Sequence, residues 1–495
     1  MLRLGAIVFG SLALASAAQA GPKVKVEGGV LVGAQTDRAR IFRNVPYAAP
    51  PVGDLRWAPP RRPTAWSGER DATANGPSCP QKMNADGTPN EGSANGPVSE
   101  DCLQLNVFAP LDARKAPVMV WLHGGGHKTG AGWIYDGQNF ARDGVVLVAI
   151  NYRLGPLGYF AHPALGKDQA GNYGLMDQVA ALHWVKRNIA AFGGDPGNVT
   201  VFGESAGGSS TLAILATPSA KGLFHKAAVQ SGGGWNKPVT LSAKEAEGGA
   251  LAAKLGASNL AELRALPAQA LAEAGAEVDY GPFSDGRVLK ETPAQAFAAG
   301  READVPLIVG ANSGEDSLLG RRLLGAEAMA AALPASVKAA YPDEAAKGDE
   351  ALVRAAFGDQ YMVAPARWLA AQAADGKPAW LYHFSYVGSR FRPMGVTTAA
   401  HAAEIQYVFE YWGRRTPLSM VAADDRAMAD LMHGCWVAFA KTGAPTCDIA
   451  WPAYDPARDE LVEFGVQSGA RAGFRKTRLD AQQQAVLPGL ALPEN

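Results

Sequence analysis

Six short runs of apolar, β-favouring residues recur along the chain: Val118–His123, Val145–Tyr152, Val199–Gly203, Ala227–Ser231, Val305–Gly310 and Trp380–Phe384. Each is continuous rather than alternating, the pattern of a strand buried on both faces. Between the second and third, Leu175, Val179, Leu182, Val185, Ile189 and Phe192 fall on one face of a predicted helix, with Asp177, Lys186 and Arg187 off it. Strand–helix–strand alternation predicts an α/β fold with a mostly parallel central sheet flanked by helices. Two alanine-rich helical stretches, about 240–300 and 320–375, carry no strand run of their own. They read as helical insertions over the sheet, not as separate domains.

One apolar stretch is not part of this pattern. Residues 1–20 place Arg3 before an apolar run and end in Ala18-Gln19-Ala20, the layout of a signal peptide cleaved after Ala20. The run is short for a membrane span. The expectation is an exported chain, periplasmic or secreted, in which 21–495 form a single domain with no membrane span. Export permits disulfides among the four cysteines. Cys79 and Cys102 would close a polar loop, a crosslink worth about 3 kcal/mol in the chain-entropy account. Cys435 and Cys447 could tie a helix to the loop after it. Composition excludes other classes. There are 46 basic and 47 acidic residues and the hydrophobic fraction is 47%. A net charge of −1 gives no footprint for nucleic acid, and disorder needs lower hydrophobicity and higher charge.

Candidate chemistry begins at Gly203-Glu204-Ser205-Ala206-Gly207, a G-x-S-x-G match. Alone it is weak in a chain with 57 glycines. Here a strand runs into it and a helix-compatible run, 208–216, follows, the context in which a sharp turn exposes a nucleophilic serine. A serine hydroxyl needs a base, and the anion it creates needs donors. His123-Gly124-Gly125-Gly126 ends a strand, and its glycines let backbone N–H groups approach a ligand closely. A metal site on His123 and His127 is the competing reading. It fails because a glycine triplet will not hold a helix and no acidic ligand lies between them. Neither metal nor cofactor is called for.

Several blocks together resemble a known family. Glu100-Asp101-Cys102-Leu103-Gln104-Leu105-Asn106-Val107 and the block from Phe192 to Gly208 are similar to two signatures of the type-B carboxylesterases, the cholinesterase-like branch of the α/β-hydrolases. Asn172-Tyr173-Gly174-Leu175-Met176-Asp177-Gln178, Asn44-Val45-Pro46-Tyr47-Ala48 and Leu55-Arg56-Trp57 extend the resemblance, which covers about 22 to 465. It implies an α/β-hydrolase fold and a triad in the chain order Ser, acid, His. Glu315, in Asn312-Ser313-Gly314-Glu315-Asp316, then falls on the acid, with Asp316 beside it as the other carboxylate weighed. His401, in His401-Ala402-Ala403-Glu404-Ile405, falls on the base, with His383 as its rival. His162, His183, His225 and His433 read as packing or surface residues.

The same resemblance places the oxyanion donors on the N–H groups of Gly125, Gly126 and Ala206, with Glu204 and Ser231 as supporting polar groups. Three positions depart from the family. Asp316 and Ala402 replace usual glycines, and His127 stands where an aromatic is common, which would make the pocket wall more polar. The loop from Cys79 to Cys102 has no Trp, Tyr or Phe, so it offers no ring to stack on choline. The expectation is a serine carboxylic-ester hydrolase for small to medium uncharged esters, with a small-molecule ester as its partner. A lipase, carbamate or amide hydrolase of the same fold is the alternative, and a non-catalytic binding protein the non-enzyme one. The ester itself and the oligomeric state are not legible.

Overall fold

The computed structural model describes residues 21–166, 171–413 and 416–493. The export segment expected over 1–20 lies outside them. Eleven strands build one sheet. They are β1 (Ala34–Gln35), β2 (Arg40–Pro46), β3 (Gln104–Ala109), β4 (Ala116–Leu122), β5 (Val146–Ile150), β6 (Gly194–Glu204), β7 (Lys226–Gln230), β8 (Leu307–Asn312), β9 (Ala379–Phe384), β10 (Glu460–Phe464) and β11 (Gly469–Ala472). Across the sheet they run β11-β10-β9-β8-β7-β6-β4-β5-β3-β2-β1. The six predicted runs are the contiguous block β4 to β9, parallel throughout. Antiparallel pairs occur at the two margins. A second, three-stranded sheet holds Lys23–Val26, Gly29–Val32 and Glu69–Asp71.

Continuous apolar runs are explained by the layers. On β4, Val118, Val120 and Leu122 enter one core with Leu175, Leu182 and Leu212, while Met119 and Trp121 enter the other with Phe202 and Trp436. Both faces of the strand are therefore dry. Five helices matter below: α1 (Tyr173–Asn188), α2 (Ala206–Leu215), α3 (Asp349–Gly358), α4 (Ala364–Ala373) and α5 (Ala423–Thr442). The first core packs α1, α2 and α4 against the sheet, and the second packs α5. The stretches 240–300 and 320–375 are helical without strands among the described residues.

Asp177 corrects the amphipathic reading of α1. It is not on a solvated face but fully buried, its two oxygens held by Arg153 Nε and Nη2 at 2.7 and 2.8 Å. Both disulfides form, Cys79–Cys102 and Cys435–Cys447. They fit an exported protein. No described helix is long and apolar enough to cross a membrane.

Candidate active site

The loops after β4, β6, β8 and β9 bring the predicted residues to one edge of the sheet, the edge where parallel α/β sheets bind ligands. Ser205 sits between β6 and α2 with φ 56° and ψ −123°, a strained left-handed junction for a residue with a Cβ. The neighbouring chain comes very close to this turn, and glycines make room for it. A methyl group on Gly207 would lie 1.9 Å from the carbonyl oxygen of Leu122. One on Gly124 would lie 3.1 Å from the Ser205 Cβ and 2.8 Å from Glu204 Oε2. The glycine loop after β4 therefore runs directly against the serine turn. Gly125 and Gly126 follow with φ 104° and 61°, and the N–H groups of Lys128 and Thr129 close the loop onto Gly125 O at 3.0 Å each. Ala206 opens α2.

Glu315 begins the turn after β8 and is wholly buried. Its Oε2 receives His401 Nδ1–H at 2.5 Å, while Oε1 accepts from Ser231 Oγ at 2.6 Å and from the Asn312 N–H at 2.7 Å. Ser231 thus acts on Glu315. The other ring nitrogen of His401, Nε2, lies 3.1 Å from Glu204 Oε1. Burial disfavours the imidazolium, but Glu204 and Glu315 outweigh it and raise the His401 pKa to about 9. Asp316 turns the opposite way. Its Oδ2 is 3.5 Å from Arg354 Nη1 on α3, and the same guanidinium holds the carbonyls of Asp316, Gly320 and Arg321. The carboxylate after Glu315 is thereby paired with an arginine it shares with Glu350, and the turn that carries both is pinned.

A layer beneath these residues was not read in the sequence. Glu404 is fully buried, its oxygens held by Gln230 Nε2 at 3.0 Å and Asn312 Nδ2 at 2.5 Å. Burial raises its pKa. The His401 block already contained it, and a glutamate inside an otherwise apolar segment was the available signal. His383, the rival base, is buried on β9 with its ring 4.6 Å from Phe474, and burial holds it neutral. His127 is also buried and neutral. Its Nε2 meets Ser210 Oγ on α2 at 2.9 Å, its ring edge packs on Tyr159, and its Nδ1 faces Gly281. One turn beyond His401 an apolar cavity of about 300 Å³ is lined by Pro89, Tyr135, Ile405 and Phe409. Its aromatic rings come from Tyr135, Phe409 and Tyr411, not from the Cys79–Cys102 loop.

Among the described residues, Asp143, Glu410 and His433 form the one cluster with metal-ligand spacing. Arg142 bridges both carboxylates at 2.6 Å, so the cluster is an ion-pair network.

Known proteins share this architecture. The sequence profile of the Carboxylesterase family matches residues 20–346 and 327–482. The chain belongs to that family. It is 36% identical to the fumonisin B1 esterase of Sphingopyxis macrogoltabida, over 94% of this chain and 91% of the relative. It is 34% identical to the para-nitrobenzyl esterase of Bacillus subtilis (strain 168), over 89% and 94%. A solved PNB esterase superposes with a TM-score of 0.81 at 32% identity, over 93% of this chain and 99% of the other. This carboxylesterase-family chain therefore has the α/β-hydrolase fold, and it is a carboxylic-ester hydrolase.

Proposed function

We propose that the chain hydrolyses small to medium uncharged esters through an acyl-enzyme on Ser205, with His401 as base and Glu315 as the acid that orients it. The 2.5 Å contact of His401 Nδ1 with Glu315 carries this reading. It fixes the tautomer in which Nε2 takes the Ser205 proton. Oγ then bonds to the ester carbonyl carbon, and the oxyanion rests on the N–H groups of Gly125, Gly126 and Ala206. As the C–O bond to the alcohol breaks, His401 gives the proton to the departing oxygen. Water adds to the acyl carbon by the same route, and Ser205 is released with the acid. The cavity beside Ile405 suits an apolar alcohol portion.

Residues 21–495 act in this reading as one exported catalytic unit, after cleavage at Ala20. Ser205→Ala should lower kcat on a short p-nitrophenyl ester by about 10⁴-fold or more with an unchanged circular dichroism spectrum. Retention of a tenth of the activity would sink the assignment.

A further inference from the structure

Two of the three proposed oxyanion donors, Gly125 and Gly126, come from the loop after β4, and the third, Ala206, opens α2. Their N–H groups act together only while loop and helix keep a fixed separation, because donors that drift lose their aim at the developing charge. Gly124, Gly125 and Gly126 have no side chain with which to hold it. Other bonds tie the loop down without reaching α2. Tyr152 OH donates to His123 O at 2.7 Å, and Gly155 N–H to His127 O at 2.6 Å. The N–H groups of Lys128 and Thr129 turn back onto Gly125 O.

His127 supplies the missing connection. It ends the glycine run at φ 54°, a left-handed conformation that histidine adopts more readily than most residues. Its Nε2 lies 2.9 Å from Ser210 Oγ, a side-chain hydrogen bond from the loop to α2. Ser210 stands four residues after Ala206, about one helical turn or roughly 6 Å along the same face. Gln178 Nε2, on α1, donates to the same hydroxyl oxygen at 2.9 Å. Imidazole, hydroxyl and amide are all buried.

The protons in this chain of bonds can be assigned. Burial lowers the His127 pKa to about 4, so the ring is neutral near pH 7 and carries one N–H. Ser210 accepts from Gln178 and gives its own proton to Nε2, which leaves the ring proton on Nδ1. That nitrogen is turned to the Tyr280–Gly281 peptide: a methyl group on Gly281 would lie 3.0 Å from it, and the Tyr280 carbonyl is within reach. A phenyl ring at this position would fill much the same space and make none of these bonds.

We propose that His127 is a positioning residue that, through Ser210, fixes Gly125 and Gly126 against Ala206 so that their N–H groups converge on one oxygen. This rests on the triad and oxyanion reading given above.

The test measures turnover per reactive serine, with Ser205 counted by organophosphate labelling of each variant. Ser210→Ala and His127→Phe should each lower kcat on a short p-nitrophenyl ester by about 10- to 30-fold, less than the loss of a donor outright, with KM moved by about twofold or less. The double variant should be no slower than the slower single one, since both changes remove the same bond. An aryl trifluoromethyl ketone, whose adduct with Ser205 bears the oxyanion, should bind more weakly by the same factor as kcat/KM falls. His127→Gln, with an amide long enough to reach Ser210, should recover part of the loss. Parental turnover per labelled serine in Ser210→Ala overturns the proposal, as do losses that multiply in the double variant. A fall in the number of labelled serines at an unchanged rate for each also overturns it, because His127 would then serve folding alone. A parent chain that is not labelled at Ser205 overturns the triad reading itself, and labelling of the parent tells that failure from the others.

Discussion

At the scale of single residues, the unusual feature is that both nitrogens of His401 face carboxylates. A neutral imidazole has one N–H, so this arrangement favours the doubly protonated ring, consistent with a pKa raised to about 9. A general base must be neutral. The active fraction is therefore small at pH 7 and grows as pH passes through 9, so kcat/KM on a neutral ester should climb to a plateau on the alkaline side. Glu204→Gln removes the nearest charge on Nε2 and should lower the midpoint by about one unit or more. A pH–rate profile already flat at pH 7 in the parent would contradict the electrostatics. A midpoint unmoved in the variant would assign Glu204 a purely structural place. The sequence offered Ser205, Glu315 and His401 as candidates because each sits in a block that resembles the family's. Gln230, Asn312 and Glu404 meet only through tertiary structure, and their spacing along the chain carries no trace of it.

Elements were legible to the degree that burial is uniform along them. Strands β4 to β9 are dry on both faces apart from the polar start of β6 at Asp195–Asn198, so the buried parts read as apolar runs. Helix α1 is different. Arg153, just after β5, reaches under it and takes Asp177 into the interior, which a 3.6-residue pattern counts as a polar position. Asp177 also accepts the Arg153 backbone N–H, at 3.1 Å. Burial raises its pKa even with the guanidinium beside it. Removing one partner would strand a buried charge, so Asp177→Ala should cost about 3–5 kcal/mol, seen as a lowered urea midpoint. Replacing the pair by apolar side chains, Arg153→Met with Asp177→Leu, should recover most of that loss. If the double variant is no more stable than the single one, the carboxylate is needed for reasons other than charge pairing.

For the molecule as a whole, the question is whether one cooperative unit holds the site. The glycine loop before residue 127, the serine turn at 205, the acid turn at 315 and the His401 segment are contributed by distant parts of the chain to one sheet edge. Cores on opposite faces of that sheet share every strand from β4 to β9, so neither can open without exposing the other's strands. The disulfides belong to the two different cores. Cys79–Cys102 ties a loop beside β3, and Cys435–Cys447 ties α5 to the chain after it. Each closes a loop worth about 3 kcal/mol against the unfolded chain, a substantial part of the 5–15 kcal/mol that folded proteins possess. Replacing either pair by alanine should therefore lower a single unfolding transition, followed together by far-ultraviolet circular dichroism, tryptophan fluorescence and loss of esterase activity. Independent domains would behave differently. The Cys79–Cys102 variant would then lose activity in a first transition while the circular dichroism of the α5 side persisted to a second. Coincidence of the three signals in both variants is the outcome expected of one sheet with two cores.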